Sequence, residues 1–116
     1  MHMKPVSTIA PSEALALSSL IAPAEHGIAS RILSKTSGGS LTLFAFDAGQ
    51  GLAEHAAPFD AIVMVLDGRL QLTIGGAEVM ATPGTVVRMP ANVPHAVDAV
   101  EQTRMLLVML REPKDG

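Results

Sequence analysis

The chain has 116 residues, 48% of them apolar and 16% charged, with a net charge of −3. That length fits one domain able to bury its own core, and that composition excludes a disordered chain. The eight basic residues are scattered without interleaved aromatics, which argues against nucleic acid as a partner, and zero cysteines exclude disulfides, thiolate catalysis and Cys-bound metal.

In chain order, residues 6–10 predict a short strand. Pro11-Ser12-Glu13 then reads as a helix start with Ser12 as the cap, followed by Ala14, Leu15, Leu17, Ser18 and Leu20 and ended by Pro23. Its apolar face is expected to pack on the body of the domain or on a second subunit. Residues 28–36 alternate loosely and lead into the turn Ser37-Gly38-Gly39. Residues 41–46 (LTLFAF) are apolar almost throughout, which predicts a strand buried on both faces. After the turn cluster 47–51, residues 52–57 and 61–66 predict two strands joined at Pro58-Phe59-Asp60. Asp67-Gly68 is a turn, and Leu70, Leu72 and Ile74 alternate with Gln71 and Thr73 as a half-buried strand should. Gly75-Gly76 turns the chain into a strand over 77–81, and Pro83-Gly84 into one over 85–89. Pro90-Ala91-Asn92-Val93-Pro94 predicts a rigid loop, and strands over 95–100 and 104–110 complete the set.

About eight to ten short strands with turn signals every eight to twelve residues, and no βαβ alternation, predict an all-β sandwich or jelly roll. The expectation is a single domain over 1–116: an N-terminal extension over 1–27, a barrel over 28–111 and a frayed tail over 112–116. No run approaches the roughly 18 consecutive apolar residues of a membrane span, so no membrane partner is expected. The N-terminus, with polar Ser7 and Thr8 and then Pro11, does not read as a secretory signal, so a cytoplasmic location is expected. With three Phe and no Trp or Tyr, the core must be built from Leu, Val, Ile, Ala and Met. The seven methionines suit an adaptable interior or a pocket lining, because a flexible thioether fills irregular space.

Two segments carry chemistry. Gly49, His55 and Gly68 mark the first, and Gly84, Pro90 and His95 the second. Together they resemble the two motif segments of the cupin superfamily, whose members are small jelly-roll barrels. The resemblance places His55 at the first histidine position of the family's metal motif and His95 at the histidine of the second segment. Asn92 stands where a turn glycine is usual, a mild exchange because Asn also tolerates the left-handed conformation. The resemblance implies an all-β double-stranded β-helix, a jelly-roll barrel with a short N-terminal helix or strand extension.

The same resemblance implies a metal centre of three His and one Glu, from which this chain departs. Its second histidine position is Ala57 and its glutamate position is Ala61, and neither methyl group coordinates anything. Asp60 lies one residue before the Glu position, where the pleat points a side chain to the opposite face unless the turn relaxes the rule. Asp60 therefore reads first as a turn carboxylate and second as a ligand or base.

His55 and His95 are the candidate catalytic residues and the candidate ligands of a divalent metal. The candidate pocket comprises His55, Ala57, Asp60, Ala61, Val63, Met64 and His95. Met64, Met105 and Met109 read as core positions first and pocket positions second, and His26 as an exposed loop residue. Three functions follow. One is a small-molecule-binding barrel with the two histidines as polar contacts, with or without a weak two-His metal. Another is an enzyme, either a metal-assisted oxygenase or isomerase or a metal-free epimerase-like catalyst with a His base. The last is a non-catalytic dimeric scaffold. The apolar runs 41–46 and 105–110 also predict a homodimer.

Overall fold

The structure, a computed structural model, describes residues 9–112. It contains nine strands: β1 (Ile28–Thr36), β2 (Gly39–Phe46), β3 (Gly51–His55), β4 (Asp60–Asp67), β5 (Leu70–Ile74), β6 (Ala77–Ala81), β7 (Val86–Met89), β8 (His95–Ala99) and β9 (Thr103–Leu110). A five-stranded sheet runs β1-β2-β9-β4-β7 and a four-stranded sheet runs β3-β8-β5-β6, with antiparallel pairing throughout. Two antiparallel sheets face to face make the expected jelly roll.

The turns form where the sequence permits positive φ. Gly75 and Gly76, at φ 58° and 87°, are the two central residues of the β5–β6 hairpin, in which Ile74 pairs with Ala77. Both central positions of that tight turn need a left-handed backbone, which explains the double glycine. Asn92, at φ 65°, adopts the same conformation in the Pro-bounded loop before β8.

The apolar runs divide by parity between two layers. Phe46, Val63, Leu70, Leu72 and Met105 are fully buried between the sheets. On the outer face of the five-stranded sheet, Leu33, Leu43, Ala45 and Leu106 pack with Ile21 and Ala24 of the N-terminal segment. β2 is buried on both faces, as its composition predicts: Phe46 turns inward, and Leu43 and Ala45 turn outward beneath the N-terminal segment.

That segment is not the helix its sequence suggests. Among the described residues only a 3₁₀ turn forms, over Leu17–Ser19, and Ser12 takes φ 62° instead of capping a helix. A helix confined between Pro11 and Pro23 is shorter than the roughly 12–15 residues that hold alone, so tertiary contacts decide. The chain drapes over the sheet instead, burying Ile21 and Ala24 and leaving Leu15 and Leu17 exposed. Residues 6–8 of the expected first strand lie outside the described residues, and Ile9 and Ala10 are not in a strand. The expected frayed tail lies outside them too, apart from exposed Glu112. No helix among the described residues is long and apolar enough to cross a membrane.

Candidate functional site

β3 ends on His55 and β8 begins on His95, and the two residues are direct partners in the β3–β8 ladder. Their ring centroids lie 4.4 Å apart at an interplanar angle of 68°. His95 is buried and His55 is exposed at the rim.

The same local bond orients both rings. His55 Nδ1 lies 2.9 Å from the carbonyl oxygen of Ala53, and His95 Nδ1 lies 3.2 Å from that of Val93. A carbonyl oxygen only accepts, so each Nδ1 carries the proton and donates it. Each Nε2 has no protein partner among the described residues and is open to a ligand.

The loops behind the histidines are tied by their own polar groups. The Asn92 N–H donates to the Ala57 carbonyl at 2.7 Å, and the Gly75 N–H to the Pro94 carbonyl at 2.8 Å. Asp60 accepts from the Ala91 N–H at 2.8 Å and from Arg88 Nη1 at 3.1 Å. The Ala91 N–H hydrogen bond holds the Asp60 carboxyl below its ordinary value against the opposing effect of desolvation, and the Arg88 guanidinium adds to the lowering. Asp60 is thus a clasp between β4 and the loop before β8, and it stands apart from the histidines' cavity.

That cavity encloses about 50 Å³ between the sheets. Of the candidate residues, His55, Ala57, Ala61 and His95 line it, and Asp60, Val63 and Met64 do not. Val63 points inward but lies fully buried deeper in the core. Met64 has the opposite parity and packs in the outer layer with Leu43 and Leu106. Residues not anticipated as lining are Leu52, Phe59, Met89 and Val97, together with Leu107. Met105 and Met109, read first as core, line the cavity as well, because 105, 107 and 109 share one face of β9. The period-two spacing on β9 was the available signal.

The two sheets, the inward histidine pair and the glycine-bounded turns define a small cupin-type barrel. The model of the cupin domain matches residues 42–110, and the chain belongs to the cupin family. A conserved protein of unknown function from Streptococcus pyogenes superposes with a TM-score of 0.87 at 31% identity, over 97% of this chain and 98% of that one. A cupin superfamily protein from Desulfitobacterium hafniense superposes with a TM-score of 0.84 at 24% identity, over 94% of this chain and 100% of that one. An uncharacterized protein of Streptomyces coelicolor is 29% identical over 75 residues, 65% of this chain and 71% of that protein.

Ala57 and Ala61 present methyl groups to the cavity, and among the described residues no three His, Cys, Asp or Glu side chains converge. Two imidazoles fall short of the three protein ligands that catalytic first-row divalent sites ordinarily keep. The residues present do not fit a three-His, one-Glu centre.

Proposed function

We propose that this cupin binds a compact, largely apolar molecule in the cavity between its sheets, hydrogen-bonded to Nε2 of His55 and His95. The observation that carries this reading is the composition of the wall. The two imidazoles are its only strong hydrogen-bonding side chains, and the rest is aliphatic, thioether or phenyl. A few convergent polar groups in an apolar concavity are the usual form of a ligand site. An Nε2 accepts from a hydroxyl or phenol and, when protonated, donates to a carboxylate, so the complementary ligand group is one of these.

Size narrows the class further. About 50 Å³ lies far below the roughly 300–1,000 Å³ of ordinary ligand pockets, so the occupant has few heavy atoms or displaces part of the wall. Phe59 borders both this cavity and an outer groove that also includes Asn92 and Arg111. Its ring centroid lies 5.0 Å from the Arg111 guanidinium, a cation–π contact between the two. A homodimer is also proposed, supported by Ile28 and Ile32, both exposed on edge strand β1.

A thermal-shift panel of small phenols, alcohols and carboxylic acids tests the binding reading. At about 100 times Kd a ligand of the native state stabilises it by about 2.7 kcal/mol, a shift of several degrees. The expected result is a shift by at least one class that His95→Ala abolishes. A flat panel, or shifts that survive in His55→Ala and His95→Ala alike, would overturn it.

A further inference from the structure

The histidine cavity and the outer groove share Phe59 as a wall and differ in size and chemistry. Opposite the histidines the cavity is apolar: Ala61 on β4 pairs with Met89 on β7 and with Met109 on β9, and all three line it. Its volume of about 50 Å³ admits only the tip of an ordinary ligand. The groove encloses about 430 Å³, within the roughly 300–1,000 Å³ usual for ligand sites. It lies between the β3–β4 connection, the loop before β8 and the end of β9, which contribute Phe59, Asn92 and Arg111. Backbone hydrogen bonds tie these segments to the barrel. The Arg111 N–H donates to the Gly38 carbonyl at 2.8 Å, and the Asn92 N–H to the Ala57 carbonyl at 2.7 Å.

Arg111 is the arginine whose charge the fold leaves unspent. Arg69, Arg88 and Arg104 pair with Glu101, Asp60 and Asp67, and Arg31 donates to the Leu20 carbonyl. The Arg111 guanidinium makes no hydrogen bond or ion pair among the described residues, and its carbon lies 5.0 Å from the Phe59 ring centroid. A guanidinium over an aromatic face keeps its in-plane N–H donors, which match the two oxygens of a carboxylate, and it is charged at every physiological pH. Two carboxylates also border the groove. Asp60 is already held by Arg88 Nη1 at 3.1 Å and the Ala91 N–H at 2.8 Å, and Glu112 is exposed and makes no ion pair with Arg111.

We propose that the groove is the carboxylate end of the ligand site, so that the ligand is a compact hydroxy acid: its carboxylate takes the Arg111 guanidinium and its hydroxyl reaches past Phe59 to donate to the histidines. The hydroxyl end rests on the small-molecule reading above. The new element is Arg111 as the anchor that fixes the charge of the ligand.

The test is calorimetric titration of the full chain at neutral pH with glycolate, hydroxybutyrate, hydroxyhexanoate and para-hydroxybenzoate, each against its methyl ester. The expected result is that at least one acid binds about tenfold or more tightly than its ester, the scale of a charge-assisted hydrogen-bonded pair. Arg111→Gln should abolish that preference and leave the ester's affinity as it was, and Arg111→Lys should restore part of it. Arg111 is exposed, so these variants keep the fold, which their melting points without ligand check. Arg69→Gln, which removes a paired cation outside the groove, should leave the preference intact, and Glu112→Gln should not weaken the acid. Equal affinity for acid and ester, a preference that survives in Arg111→Gln, an equal loss in Arg69→Gln, or weaker binding in Glu112→Gln would each overturn the proposal. The two readings fail distinguishably. Acid and ester bound equally, and both lost in His95→Ala, sink the groove proposal alone. An acid that needs Arg111 but is indifferent to His95→Ala sinks the cavity reading and the joint occupancy with it, and no binding by any acid or ester sinks both.

Discussion

Arg104 places Nε and Nη2 on Asp67 Oδ2, at 2.8 and 2.6 Å, while its backbone N–H donates to Asp67 Oδ1 at 3.1 Å. Its Nη1 reaches past the sheet to the carbonyls of Ser18 and Ile21, at 2.7 and 3.0 Å. One guanidinium thus joins the β4 bulge to the N-terminal segment. Arg104→Ala is expected to cost about 1–3 kcal/mol, the usual range for lost hydrogen bonds to a charged group, with the partly exposed Asp67 keeping it within that range. Urea unfolding measures the loss, and limited proteolysis should cut first near residues 15–22.

Gly68 and Gly49 separate two kinds of glycine. Both have positive φ, 85° and 83°. A Cβ at Gly68 would collide with Thr103 Oγ1 and the Gln102 carbonyl, whereas one at Gly49 would meet open space. Gly68→Ala is expected to lose about 3 kcal/mol or more, combining a steric clash with backbone strain, and Gly49→Ala only about 1 kcal/mol from the strain. Equal midpoints in urea would contradict the difference.

Acid sensitivity should localise partly at Asp60. Its carboxyl titrates below its ordinary 3.8 in the folded chain, chiefly through the Ala91 N–H and then through Arg88. A depressed folded value means that the stabilisation is complete above the unfolded value and is lost as pH falls through the folded one. Asp60→Asn should flatten the decline in stability below about pH 4 and leave its shape near neutrality unchanged. A melting series between pH 2 and pH 7 reads this directly. Asp47, held low by the His26 and Ala48 N–H groups, has the same sign, so part of the acid limb should remain in the variant.

Association should run through β1. This nine-residue strand lies at the sheet edge with Ile28 and Ile32 at 41% and 39% exposure. Light scattering at micromolar concentration should give twice the chain mass, and Ile32→Lys should give the single-chain mass, since an edge lysine opposes strand pairing. A monomeric wild-type chain would refute this.

The strands were legible because glycine and proline punctuate them. β1 and β6 fall on their expected bounds, and Asn92 adopts the left-handed turn. The N-terminal segment was not legible, since its leucines suit a helix locally, whereas the outer face of the five-stranded sheet buries Ile21 and Ala24 instead. For the site, strict parity on β4 separates Ala61 and Val63 from Asp60 and Met64, so the last two could have been set aside from spacing alone. Phe59 and Met89 carry no such marker. They meet the histidines only because β4 pairs with β7 and the two sheets close on each other.

The alanine between Met89 and Met109 has a consequence for how this barrel can change. Strand register, loop ties and ring orientation are all set by groups other than the side chains of Ala57 and Ala61. The chemistry of the cavity wall is therefore uncoupled from how the barrel is built, and different side-chain tips can change it on an unaltered chassis.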